Sequence, residues 1–523
     1  MTSLLDRRRL LTSGLSLAGA SALPLLGAPS IAVAASARPQ AASGIQLGDL
    51  SLGRVMLWSR ADMPARLHVE VAFDENFSGA QRLRGPLALE TSDFTARIDL
   101  QDLPADRQVF VRAWFENLDN ARATSEPVLG RFRTPARKRG VRFVWGGDTA
   151  GQGWGINPGF GGMKIYEQMR RVQPDFFLHS GDTIYADGPI TSSVNTPQGL
   201  WTNLVTPEVA KVAETLDEFR GRYRYNLMDE NLRRFNAEVP QIWQWDDHEV
   251  TNNWNDDKSV LNDARYTEKN VPLLTARGTR AFLDYAPLRP HSADESERVY
   301  RHIPYGPLLD VFVLDMRSYR GPNTANLQTS ESALTPILGK VQVEWLKRSL
   351  KHSKATWKVI ASDMPIGLNV GDGRDAAGAA RWEAVANGND GAAAGRELEI
   401  AGLLQAIKRM GIRNTVWLTA DVHYCAAHYY DPNQARFSDF DGFWEFVAGP
   451  LNAGSFGPNT LDATFGPRVD FQKAPPAGQS NLSPYAGLQF FGEVSIDPHG
   501  RTFSVAFKDL NGATVYSRTL QPG

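Results

Sequence analysis

A chain of 523 residues, 42% hydrophobic and 22% charged, has room for about two or three domains and reads as folded and globular, not disordered or fibrous. Its formal net charge of −2 excludes the Lys and Arg excess that a phosphate-neutralising nucleic-acid surface requires. Cys425 is the only cysteine, which excludes an intrachain disulfide; the core must supply stability, and the thiol reads as a small buried hydrophobe.

The N-terminal "DRRRLLTSG" sets Arg7 to Arg9 before an uncharged Leu, Ala, Gly and Ser stretch that ends in the small-residue patterns "AVA" and "ASA". This pattern predicts a twin-arginine export signal over residues 1–37, cut after Ala34 or Ala37. A periplasmic or secreted location follows, with the twin-arginine translocation machinery as a partner. Pro24 and Pro29 interrupt the stretch and count against an uncleaved membrane anchor. Export of this type carries proteins already folded, often around a metal.

Short alternating runs such as "LHVEVAF" and "VFVRAWFE" fill residues 40–136 and predict a small all-β domain of immunoglobulin or fibronectin type. A basic, proline-containing linker, "RTPARKRG" at 133–140, ends it. From 141 to 523 the pattern becomes α/β. Apolar runs such as "VRFVWGGD", "DFFLHSGD", "PQIWQWDDHE" and "NTVWLTADVH" each deliver polar residues at a strand end, where open α/β sheets place their sites. Gly, Ala, Asn and Pro enrich 367–397 and 449–484, which read as long loops bordering a binding site. The turns "DPHG" and "DLNG" divide the last strands.

Four strand ends offer ligand-type side chains: Asp148; Asp182 with Tyr185; Asp246 to Glu249 with Asn252 and Asn253; and Asp421 with His423. Each alone is an ordinary turn or helix cap. Together, so many acids at one sheet edge repel one another unless a cation neutralises them. Asp182 follows a glycine that allows a tight turn, which makes it the candidate to bridge two ions. Oxygen donors favour Ca²⁺, Mg²⁺ or Mn²⁺, while a histidine and a tyrosinate beside carboxylates suit Fe³⁺.

In order along the chain, "HSGDTIYADGP", "WDDHEVTNNW", "LDMRSYR" and "LTADVH" resemble the signature blocks of the alkaline phosphatase D family of calcineurin-like metallophosphoesterases. "GDLSLGRVMLWSR" and "GRFRTP" resemble the sandwich domain that precedes the catalytic domain there. The fold this implies is an α/β metallophosphoesterase β-sandwich flanked by helices, after the small all-β domain. By the same resemblance Asp182 bridges two ions, Tyr185 and His423 hold a ferric ion, and Asp421 and Asp247 or Asn253 hold a second ion, Ca²⁺. His248 falls at the catalytic position. Arg317 and Arg320 of "LDMRSYR" are either phosphate clamps or salt bridges supporting the sheet. The family has a cysteine ligand after the first strand, where this chain has Asp148; a carboxylate there leaves Mn²⁺, Mg²⁺ or Zn²⁺ open.

The expected activity is hydrolysis of phosphate mono- or diesters by metal-bound hydroxide, without a covalent phospho-enzyme and by a monomer, with His248 assisting the leaving oxygen. A phospholipase-D-like phosphodiesterase and a catalytically inactive cell-surface binding protein are the alternatives. No G-x-S-x-G elbow follows a strand, which disfavours a serine hydrolase.

Overall fold

A computed structural model describes residues 37–523, so all of the expected export signal except Ala37 lies outside the described residues. No helix among the described residues is long and apolar enough to cross a membrane.

Two sheets face each other. The first has nine strands, in the order Thr514–Leu520, Phe503–Asp509, Phe490–Ile496, Val141–Gly146, Phe176–Ser180, Gln241–Gln244, Ile45–Ser51, Arg54–Arg60 and Thr95–Leu100. The second has seven, in the order Arg301–Pro304, Leu309–Val313, Trp357–Ala361, Thr415–Thr419, Phe443–Val447, Cys425–Tyr430 and Pro467–Lys473. Period-two alternation sorts the side chains. Phe143, Trp145, Phe176 and Leu178 meet Val311, Val359, Leu418 and Phe446 between the sheets, whereas Val144, Phe177 and Trp243 point outward. Each such side chain contributes about 1.5–3 kcal/mol by leaving water.

Helices cover the outward faces. Lys164–Arg171, Leu216–Asn226, Glu230–Glu238 and Val271–Tyr285 pack on the nine-stranded sheet; Lys340–His352 and Glu397–Arg409 pack on Phe312, Ile360 and Trp417 of the other. Their starts are written locally: Thr215 and Glu218 form a capping box, and Asp229 and Asn270 cap the next two. The result is the helix-flanked β-sandwich expected of the catalytic part.

The N-terminal strands do not close on themselves. Ile45–Ser51, Arg54–Arg60 and Thr95–Leu100 extend the nine-stranded sheet, with Ile45–Ser51 parallel to Gln241–Gln244. A four-stranded sheet, Gln81–Ala88, Ala65–Ala72, Gln108–Asn117 and Val128–Arg133, packs against them through Leu67, Val69, Val111 and Phe115. Alternation marks these as strands, but does not reveal that one half of the sandwich continues into the catalytic sheet. Cys425 is fully buried and its thiol is pushed up by burial, a packing role.

Candidate metal centre

The parallel strands Val141–Gly146, Phe176–Ser180 and Gln241–Gln244 end at Asp148, Asp182 and Asp246 to Glu249, and those of the second sheet end at Asp363 and Asp421. The ends converge closely. A side chain on Gly147 would begin 2.9 Å from Ala420 Cβ of the opposite sheet, and one on Gly181 would begin 2.5 Å from Asp246 Cβ. Asp148, Asp182, Asn253, Asp421 and His423 all adopt left-handed backbone, with φ of 69°, 51°, 56°, 65° and 62°. Such strain in non-glycine residues persists only where the surroundings impose it, and it gathers at functional sites.

Glu249 ties the strand ends together. Its buried carboxylate accepts the backbone N–H groups of Asp182, Thr183 and Asp246, and the Thr183 hydroxyl. This leaves the aspartate side chains free to point into the site.

Three groups of ligand atoms, each within 4.8 Å of one another, are fit to hold cations: Asp148, Asp182 and His423; Asp182, Asp247 and His248; and Asp246, Asp247 and Asp421. Asp182 is common to the first two. Tyr185 joins the first, its hydroxyl 3.0 Å from His423 Nε2. Asn253 stands beside Asp247, to which its backbone N–H donates, but its side-chain amide donates to Asp372 Oδ1 at 2.7 Å.

Both carboxylate oxygens of Asp148, and Oδ2 of Asp246 and Oδ1 of Asp247, are buried without a hydrogen-bond partner. Leaving charged oxygens so is strongly unfavourable unless a cation completes them. Burial, reinforced by neighbouring carboxylates, holds the protons of Asp148, Asp182 and Asp421 well above the usual carboxylate range; burial does the same for Asp246 against the opposing charge of Arg317. Asp247 is the exception, because His248 and Arg317 overcome its burial and lower it. Burial pushes His423 down to about 4, which keeps its imidazole neutral and able to bind a cation. The donor set fits metal ions.

His248 is the remaining polar group at the centre. Burial disfavours its charge, but Asp187, Asp247 and Asp182 outweigh that and raise its pKa well above the ordinary histidine value. Its Nδ1 donates to Asp187 Oδ1 at 2.6 Å, and Nε2 lies 4.0 Å from Asp247 Oδ1. Asp187, in turn, accepts from the backbone of Asn252 at 3.0 Å and is lowered to about 2 by His248 despite its burial.

Arg317 and Arg320 face inward. The Arg317 side chain has no exposed surface; it binds Asp246 and Asp363 from behind the ligands and donates to Glu383 Oε1 at 2.5 Å. Arg320 binds the Glu383 carbonyl and Asn323. Of the two roles expected for this pair, support of the sheet edge matches their placement, and contact with substrate does not. Asp187 stands inside "YADGP", five residues after Asp182, with no motif of its own to give it a role, and Glu383 sits in the 367–397 loop, where nothing in the local sequence marks it.

A cavity of about 370 Å³ opens over these groups. Asp182, Asp247, His248 and Asp421 form its floor; residues 370–371 and 456–459 of the two long loops form its rim.

Comparison with known proteins shows the family. A family model described as PhoD-like phosphatase matches residues 143–507, and one for the N-terminal domain of PhoD-like phosphatase matches 27–136. Alkaline phosphatase D of Bacillus subtilis (strain 168) is 30% identical over 279 residues, 50% of this chain and 43% of that protein. The chain therefore matches less than half the length of this relative. Among solved structures, PhoD superposes with a TM-score of 0.69 at 20% identity, over 93% of this chain and 91% of that one. The purple acid phosphatase PPD1 of yellow lupin (Lupinus luteus) seeds superposes with 0.54 at 11% identity, over 93% and 74%. At these identities the likeness is one of fold.

Proposed function

The chain belongs to the PhoD-like phosphatase family, and we propose that it is an exported, metal-dependent phosphatase that hydrolyses phosphate mono- or diesters. The observation that carries this reading is Asp182, shared by two ligand groups whose neighbours Asp148 and Asp247 keep buried oxygens without partners, on the floor of a cavity that also holds His248. Asp148, Asp182, Tyr185 and His423 would hold one ion, and Asp182, Asp247 and Asp421 the other. The phenol and imidazole favour Fe³⁺ in the first and the all-carboxylate set favours Ca²⁺ in the second. Asp247 is preferred to Asn253 as the ligand because Asn253 gives its amide to Asp372.

A bound pair of cations supplies positive charge to the phosphoryl oxygens and lowers the pKa of water toward about 7. The protein's own groups do the rest. His248 presents Nε2 beside Asp247 and, charged, donates its proton to the departing ester oxygen; Asp187 holds the imidazole in the orientation and tautomer this needs. Glu249 and Arg317 keep the carboxylates converged, so little reorganisation accompanies the reaction. Export rests on Arg7 to Arg9 and the apolar stretch behind them.

Elemental analysis of the purified protein, with turnover of p-nitrophenyl phosphate, its bis ester and phosphatidylcholine measured side by side, tests this reading. Hydrolysis of either nitrophenyl ester supports it. Turnover of phosphatidylcholine alone favours the phospholipase-D-like alternative, and no hydrolysis of any of the three after metal reconstitution overturns both.

A further inference from the structure

The outer face of the four-stranded N-terminal sheet takes no part in the metal centre, yet its composition is unusual for a merely solvated surface. Along its strands, alternate residues such as Leu67, Val69, Val111 and Phe115 point inward, so their neighbours share the opposite face. Pairing aligns these in rows: Arg82, Glu70, Arg112 and Leu129; Arg84, His68 and Trp114; Leu87, Arg66 and Glu116. Arg131 and Arg133 continue the last strand. Six arginines thus face two glutamates, although residues 38–136 as a whole carry 12 arginines and 13 acids. The asymmetry belongs to this face, not to the domain.

Part of the charge is already neutralised. Arg112 pairs with Glu70, Arg131 with Glu238 and Arg133 with Asp106, while the His68 ring lies 3.1 Å from Glu116. Arg66, Arg82 and Arg84 have no acidic partner among the described residues. Their setting is nonetheless ordered: Arg66 donates to the Gly85 carbonyl at 3.1 Å, Arg82 lies 4.9 Å over the Trp114 ring, and His68 stacks with that ring, its centroid 5.5 Å away. All three arginines act on His68, whose pKa is lowered first by burial and then by their charge against the pull of Glu116.

Apolar side chains flank this cluster. Leu129 is 60% exposed on the strand at one edge, and Leu87 is 40% exposed on the strand at the other. A soluble polyanion would meet the arginines but gain nothing from the leucines. A bilayer interface rewards both, since cations meet anionic headgroups while apolar side chains enter the acyl boundary.

We propose that this face, centred on Arg66, Arg82 and Arg84 and flanked by Leu87 and Leu129, docks the protein on an anionic lipid bilayer. The partner is the membrane surface itself, and docking is independent of the reaction at the metal centre. Its falloff with salt is steep because the charges are surface-exposed.

Co-sedimentation of the full chain with vesicles tests it. Vesicles containing phosphatidylglycerol should capture the protein, and vesicles of phosphatidylcholine alone should capture it on the order of tenfold less. Arg82→Glu with Arg84→Glu should abolish the difference, and Leu87→Ser with Leu129→Ser should weaken capture at equal charge. Turnover of p-nitrophenyl phosphate and Tm serve as folding controls, and both should be unchanged because none of these residues touches the metal centre. Equal capture by both vesicle types, capture that survives the charge reversal, or binding of short-chain inorganic polyphosphate in place of vesicles would each overturn the proposal.

Discussion

Asp187 Oδ1 accepts the Nδ1 proton of His248 at 2.6 Å, and this single contact leaves Nε2 as the nitrogen facing Asp247 and the cavity. Replacing Asp187 with Asn preserves shape but removes the charge that raises the His248 pKa most. We expect kcat to fall about 10- to 100-fold with metal content unchanged, and the alkaline limb of the pH profile to move to lower pH. His248→Ala should cost on the order of 100-fold or more, and the double variant little beyond that, because the two residues act as one unit. Additive losses would show that Asp187 works by another route.

Arg317 is the counter-charge beneath the acidic cluster. With no exposed surface of its own, it pairs Asp246, Asp363 and Glu383. Arg317→Met removes one partner from several buried carboxylates, a change that typically costs about 3–5 kcal/mol. Denaturant unfolding should register that loss at saturating substrate and metal, and Arg317→Lys should recover only part of it because a point charge cannot serve three carboxylates with a planar fork. A variant as stable as the parent would mean that the carboxylates are held by the ions alone.

Much of the catalytic fold was legible because buried strands and amphipathic helices carry different periods, and because strand ends in this class share one edge. Asp148, Asp182, Tyr185, Asp247, Asp421 and His423, read from four separate strand ends, lie together. The supports were harder to read. Glu383 reaches Arg317 from a loop rich in Gly and Ala, and Asp187 reaches His248 across a turn, so neither has a periodic pattern to mark it. The pairing of the N-terminal strands is hidden for a related reason. Alternation identifies Ile45–Ser51 as a strand, but its pairing with Gln241–Gln244 is a contact across nearly 200 residues that no local pattern encodes.

Metal removal should act on stability as well as on turnover. Asp148 keeps both oxygens buried and without partners, and Asp246 and Asp247 keep one each, so the metal-free fold carries a desolvation cost that bound cations offset. A ligand that binds only the native state at about 100 times its Kd contributes about 2.7 kcal/mol. Dialysis against a chelator should lower Tm, and return of the cation found by elemental analysis should restore it. Asp182→Asn should abolish that restoration, since the residue common to two ligand groups is then lost. An unchanged Tm on chelation would argue that the carboxylates are neutralised by protons.

Glu397 offers a pH test away from the metal centre. It lies at the start of the helix Glu397–Arg409, where burial and the nearby Asp462 push its carboxyl up to about 8 from 4.5. Asn387 and the Ala394 N–H donate to Oε2, while Oε1 is buried without a partner. Below pH 4.5 the group is protonated in both folded and unfolded chains and has no pH-linked effect. Between pH 4.5 and about 8 the unfolded chain releases a proton that the folded chain retains, so stability falls as pH rises, and above about 8 the full penalty is present. Glu397→Gln is neutral throughout and keeps an amide oxygen to accept from Asn387 and the Ala394 N–H. Its Tm should therefore match the parent near pH 4.5, exceed it progressively toward pH 8 and stay a few degrees higher beyond. Two parallel Tm curves across that range would show that the Glu397 carboxyl is not raised in the folded chain.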